Sequence, residues 1–200
     1  MRGKRVSDWG VFLDRDGTIN EEVGLIDDPA KLRIISGSAA AIKRLKAAGA
    51  AIVVATNQPV VARGLLDEEG LGRVHARLRE LLAEEDAVVD DIRFCPHHPE
   101  THHAEANDPR YRRECDCRKP KPGMLLDGAA AMGMPVGAFY FVGDSTRDIA
   151  AGIAAGCRGT VLLETGFGGK DGNCPDAKPD AVAADLSAAA DWIIARQASA

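Results

Sequence analysis

Asp14 and Asp16 stand two residues apart at the end of a short apolar run, Val11-Phe12-Leu13, and Gly17-Thr18 follows at once. Along a strand, residues i and i+2 leave on the same side, so both carboxylates can act on one substrate. A buried parallel strand hands its carboxyl end to a loop, and open α/β sheets place their chemistry there. Two acids at such a point suit a nucleophile beside a general acid/base, a site for a hard cation, or both. Asp and Gly are also ordinary turn formers, so the octet alone is compatible with a strand that simply ends in a polar turn.

Three further segments add to it. Ala-Ile-Val-Val-Ala at 51–55 ends in Thr56-Asn57-Gln58, small hydroxyl and amide donors suited to phosphate oxygens. Arg118, Lys119 and Lys121 precede a helical pattern, where free N–H groups and the helix dipole favour anions. Phe141-Val142-Gly143-Asp144 closes another apolar run with an acid that can complete a Mg²⁺ site. Asp148, one turn on, reads either as a metal ligand through water or as a first-turn helix acid, the second being preferred.

The five cysteines are odd in number and three crowd one loop, which argues against a disulfide framework. Cys95-Pro96-His97 and Cys115-Asp116-Cys117 offer three thiolates and an imidazole, the donor set of a closed tetrahedral zinc site. His98, His102 and His103 compete for the imidazole position. With no open coordination place, the zinc would staple the loop that presents Arg118 and Lys119. Cys157 reads as a small core residue, Cys174 as a free thiol in a polar loop, and His75 as a surface residue of a charged helix.

The elements that must position these groups alternate. Strands are predicted at 10–13, 51–55, 91–94, 139–142, 160–163 and 181–182, and helices at 38–48, 67–85, 122–132, 146–155 and 187–196. A polar loop fills 166–180. This alternation implies a three-layer α/β fold of Rossmann type around a parallel sheet, in one domain over 1–200. At 200 residues, 46% hydrophobic and 28% charged, the chain can bury a sizeable core. A net charge of −5 leaves no electrostatic footprint for nucleic acid or an anionic membrane. No apolar run of membrane-spanning length exists, and no signal core follows the basic start at residues 1–5, so a cytoplasmic location is expected; with no exposed apolar stripe evident, so is a monomer.

Acid pair, threonine, lysine and acid, in that order and mostly at strand ends, resemble the haloacid dehalogenase (HAD) superfamily of phosphatases along most of the chain. The resemblance implies Asp14 as nucleophile, Asp16 as general acid/base, and Thr56 and Lys119 as the phosphoryl-stabilising pair. It also implies Mg²⁺ on Asp14, the Asp16 carbonyl and Asp144; the short insertion after Asp14–Thr18 leaves no separate cap domain expected. Lys121 competes for the lysine role because the Lys-Pro pair is repeated. Asp14–Asn20, Ala62-Arg63-Gly64, Cys95–Pro99 and Cys115–Met124 are similar to the zinc-bearing branch, and within it to the heptose-bisphosphate phosphatases. That family removes the 7-phosphate of D-glycero-D-manno-heptose 1,7-bisphosphate on the way to nucleotide-activated heptose for surface glycans.

The likeness places zinc on Cys95, His97, Cys115 and Cys117, and assigns sugar-phosphate recognition to Arg118. Glu22, Gly24, Asn57, Gln58 and Arg63 become further substrate contacts. The chain departs from the family at Val23 (commonly aromatic), at Pro59-Val60 (commonly Ser-Gly) and at Ser145 (commonly Lys). Histidinol-phosphate phosphatases share the acid pair, the zinc loop and the Cys-Arg-Lys-Pro run, and form the alternative reading. A DNA 3′-phosphatase fits less well without a basic groove, and a non-catalytic zinc-stapled binding module would require five site residues to be vestigial.

Overall fold

The computed structural model of the chain describes residues 7–99 and 110–199; the basic start at 1–5 and His102 and His103 lie outside them. The apolar runs become six strands: β1 (Gly10–Leu13), β2 (Ala51–Asn57), β3 (Asp91–Cys95), β4 (Phe139–Gly143), β5 (Gly159–Leu163) and β6 (Ala181–Ala183). All pair in parallel, in the order β3-β2-β1-β4-β5-β6. The helices are α1 (Ser38–Ala47), α2 (Glu68–Glu84), α3 (Gly123–Ala131), α4 (Thr146–Ala155) and α5 (Leu186–Ala198).

Strand alternation sorts the apolar side chains into two cores. Val11, Leu13, Ile52, Val54, Tyr140 and Val142 face the layer of α1, α2 and α5. Phe12, Val53, Phe139 and Phe141 face α3 and α4. The three-layer α/β/α architecture follows from this two-sided burial. Among the described residues, no helix is long and apolar enough to cross a membrane.

Differences from the sequence-based boundaries are small and have local causes. Strand β2 runs two residues past 55 because Thr56 and Asn57 continue the register with Phe94 and Cys95 of β3. Helix α5 begins at Leu186 because the Asp185 carboxylate caps it, accepting from the Ala188 N–H at 2.9 Å. Two three-residue 3₁₀ turns, Pro29–Lys31 and Val136–Ala138, are too short to carry a periodic signal.

One expectation is overturned. His75 is not a surface residue: the α2 face that carries Leu71, Val74 and Leu78 also turns His75 inward, leaving it 8% exposed against the Phe94 ring. Burial, with the nearby Arg15 cation, lowers its pKa from 6.5 to about 3. The unfolded chain therefore takes up a proton that the folded chain refuses, and stability falls as pH drops from about 6.5 towards 3. The slope is roughly 1.4 kcal/mol per pH unit at most. In acid titrations followed by circular dichroism, His75→Phe is expected to flatten this limb; an unchanged limb would assign it to other groups.

The site lies where the strand order switches. Leu13 of β1 is level with Val54 of β2 on one side and Val142 of β4 on the other, and the Asp14 N–H donates to the Val142 carbonyl at 2.9 Å. Asp14, Thr56 and Asp144 therefore emerge together at the carboxyl edge, the switch-point crevice where open α/β sheets bind ligands.

Candidate active site

A cavity of about 60 Å³ is lined by Asp14, Asp16, Glu22, Thr56, Asn57, Lys119, Asp144, Ser145, Arg147, Asp148 and Phe167. Lys119 reaches in from the segment before α3 and is buried. Its Nζ lies 2.7 Å from Asp14 Oδ1 and 2.7 Å from Asp148 Oδ1, and donates to the Ala55 carbonyl at 2.8 Å. Burial works against its charge, but the two carboxylates outweigh it and raise its pKa. Lys121 is exposed and faces Glu114 at 3.2 Å, so Lys119 alone of the two lysines enters the cavity. Asn57 pins the Lys119 peptide at both ends: its Oδ1 accepts from the Lys119 N–H at 3.1 Å and its Nδ2 donates to the Lys119 carbonyl at 3.0 Å.

Asp144 is fixed by the loop after β5, which carries no periodic signal of its own. Its Oδ2 accepts from the Phe167 N–H at 2.7 Å and its carbonyl from the Gly169 N–H at 2.8 Å. A Cβ at Gly17 or Gly166 would stand 2.1 or 2.0 Å from that same Oδ2, and both residues hold positive φ. Only glycine permits this approach. Asp148 is the first-turn helix acid that the sequence reading preferred, and it has a second role, at Lys119, which that reading did not consider. Its Oδ2 accepts from Ser145 N and Oγ in a capping box at the start of α4, while its Oδ1 anchors Lys119.

Burial pushes Asp14 up to about 7, Lys119 pulling against it, and pushes Asp144 up to about 8 with Asp14 and Asp148 adding repulsion. Asp14, Asp144 and Asp148 each place an oxygen within 4.8 Å of the others. Both Asp148 oxygens are engaged, and Lys119 brings one charge to three carboxylates. Asp14 and Asp144 thus fit a divalent cation with oxygen preference, which would supply the missing positive charge.

The remaining candidates are placed unevenly. Glu22 lines the cavity and accepts from the Gly24 N–H at 2.7 Å, whereas Gly24 is exposed in a tight turn. Arg63 and Arg118 do not line the cavity; Arg118 Nη1 donates to the His97 carbonyl at 3.2 Å, tying it to the cysteine loop. The cationic run therefore does not act as a unit: one side chain enters the cavity, one joins the loop and one faces solvent. Gln58 is 3% exposed and bonds to Asp16, Thr56 and Arg15 beneath the cavity. Sequence reasoning missed Arg15, Arg147 and Phe167. A cation between two chemically important acids was the available signal for Arg15; nothing marked the other two.

At the end of β3, Cys95 Sγ lies 3.5 Å from Cys115 Sγ and 3.2 Å from Cys117 Sγ, and Cys115 and Cys117 are 3.4 Å apart. His97 Nδ1 is 3.8 Å from Cys95 Sγ and 3.4 Å from Cys117 Sγ. Zinc–sulfur bonds of about 2.3 Å in a tetrahedron imply edges near 3.8 Å, so the four atoms suit one zinc ion. His97, not His98, completes this group. Cys157 is partly buried against the second core and Cys174 is a free thiol.

Sheet order, switch-point acids and the buried lysine together define a phosphatase of the HAD class. Residues 116–189 match the HAD-hydrolase-like family model. The chain is 38% identical over 92% of its length, and 88% of the relative's, to D-glycero-beta-D-manno-heptose-1,7-bisphosphate 7-phosphatase of Yersinia pestis. The protein of that name from Photorhabdus laumondii is 39% identical over 78% of this chain and 80% of its own. The crystal structure of D,D-heptose 1,7-bisphosphate phosphatase from B. bronchiseptica, complexed with magnesium and phosphate, superposes with a TM-score of 0.78. It is 35% identical and covers 94% of this chain and 99% of that one. The chain belongs to the heptose-1,7-bisphosphate 7-phosphatase family.

Proposed function

We propose that this chain hydrolyses the 7-phosphate of D-glycero-D-manno-heptose 1,7-bisphosphate through an aspartyl-phosphate on Asp14. The observation that carries the reading is the convergence of Asp14, Asp144 and a buried Lys119 on one small polar cavity. The close likeness to named heptose bisphosphate phosphatases supplies the substrate.

Asp14 presents a carboxylate oxygen to phosphorus in line with the sugar oxygen. Lys119 and Thr56 donate to the phosphoryl oxygens and reduce their repulsion with the attacking carboxylate. Asp16 protonates the departing sugar oxygen and then takes a proton from the water that opens the acyl phosphate. A magnesium ion held by Asp14, Asp144 and the Asp16 carbonyl would neutralise phosphoryl charge when bound. Glu22, which lines the cavity, and Arg118, carried by the cysteine loop, would meet the rest of the sugar phosphate.

The test is phosphate release with Mg²⁺ from both anomers of the bisphosphate and from histidinol phosphate at equal concentration. A kcat/KM for one heptose anomer about a hundredfold above histidinol phosphate, roughly 2.7 kcal/mol of discrimination, is expected. Preference for histidinol phosphate would overturn the substrate and leave the chemistry standing.

The Cys95, His97, Cys115 and Cys117 group would hold a structural zinc that braces Arg118 and Lys119. Elemental analysis is expected to find one zinc per chain. Cys117→Ser should lose it, and turnover should fall about a hundredfold as the lysine drifts from the phosphoryl site. Full activity in a zinc-free variant would remove the bracing role.

A further inference from the structure

Arg15 stands between the two acids of the first motif and is fully buried. Its Nε donates to Asp16 Oδ1 at 3.1 Å, and its Nη2 lies 2.9 Å from Oδ1 and 2.8 Å from Oδ2 of the same carboxylate. The same Nη2 lies 3.0 Å from Gln58 Oε1. A guanidinium can only donate, so this contact decides which way the Gln58 amide points: oxygen towards Arg15, NH₂ away from it. The NH₂ then donates to Asp16 Oδ2 at 2.8 Å and to Thr56 Oγ1 at 2.9 Å. Asn20 Nδ2 adds a donor to Asp16 Oδ1 at 2.9 Å.

We propose that Arg15 and Gln58 are positioning residues, a buried relay in which Arg15 orients the Gln58 amide and Gln58 aims both Asp16 and Thr56 at the reacting phosphate. The consequence at Thr56 is specific. A hydroxyl that accepts from Gln58 has its single proton left to donate, and Thr56 lines the cavity, so that proton is directed to a phosphoryl oxygen. At Asp16, donors from Arg15, Gln58 and Asn20 fix the plane of the carboxylate. The side chain is 14% exposed and also lines the cavity. The relay links the carboxyl ends of β1 and β2, so the acid/base group and the phosphate donor hold one mutual geometry.

The inference rests on the roles given to Asp16 and Thr56 above, and the test separates the two levels. Turnover is compared, with Mg²⁺ present, on the heptose bisphosphate and on 4-nitrophenyl phosphate, whose leaving group needs no proton. Gln58→Met keeps the length of the side chain and removes its hydrogen bonds. It is expected to lower kcat/KM, which reports formation of the aspartyl-phosphate and not its hydrolysis, about a hundredfold on the sugar phosphate and about tenfold on the aryl phosphate. In a Thr56→Val background, the aryl loss caused by Gln58→Met should vanish, because both changes break one link. Arg15→Lys should show the same substrate split; if burial of the shorter cation prevents folding, Gln58→Met still decides the matter.

Equal losses on both substrates would overturn the relay. So would full additivity with Thr56→Val, or a lowered melting temperature with kcat/KM untouched. Asp16→Asn and Thr56→Val alone test the underlying roles. If Asp16→Asn spares the sugar phosphate, that assignment falls with the relay; if it does not and Gln58→Met is silent, only the relay falls.

Discussion

Asp14→Asn is expected to lower phosphate release by on the order of 10⁴-fold or more while leaving a folded protein. The substitution keeps the size of the side chain and removes the nucleophile. Among the carboxylates that share the buried cluster, none replaces it: both oxygens of Asp148 are engaged, and Asp144 is bonded to the Phe167 N–H. Stability should change little, because Lys119 keeps Asp148 while a crowded group of carboxylates loses one member. The checks are phosphate release under single-turnover conditions and a thermal melt of the same sample. Residual activity within a hundredfold of the parent enzyme would sink the covalent route.

Lys119→Met is expected to damage both activity and fold. Asp14 and Asp148 would then be buried carboxylates without their shared cation, and the Ala55 carbonyl would lose a donor. Breaking a buried ion pair by removing one partner costs about 3–5 kcal/mol, on the order of 10 °C in melting temperature for a chain of this size. The phosphoryl oxygens would also lose their buried positive donor, about a thousandfold in kcat. Lys121→Met is the control: Lys121 is exposed beside Glu114, and its loss should leave both readouts unchanged. A comparable loss of turnover on removing Lys121 would mean that the wrong lysine has been placed at the phosphate.

The site was legible where chemistry is local. Asp14 and Asp16 at the end of an apolar run, Thr56 and Asp144 at the ends of two more, and paired cysteines around a loop are all short-range patterns. They are similar to a known family in the same order. His75 was misread because its polarity was given more weight than its position, four residues after Leu71 and three before Leu78, which puts it on the apolar face of α2. Gln58 was grouped with substrate contacts because it follows Thr56-Asn57. The step from strand end to turn carries it under the cavity, and its neighbours there, Arg15 and Asp16, come from the segment that follows β1.

What the sequence determined by itself was the succession of strands and helices, the two-sided burial of the sheet and the candidate groups that the fold brings to one cavity, since each depends on residue type and near-neighbour spacing. What only tertiary structure decided was which lysine turns inward, that Gln58 is buried against Arg15, Asp16 and Thr56, and how a polar loop after β5 closes on Asp144 through the Phe167 and Gly169 amides. Those outcomes depend on contacts between segments dozens of residues apart. Their energies come from burying charge beside a distant partner, which no local pattern in the chain encodes.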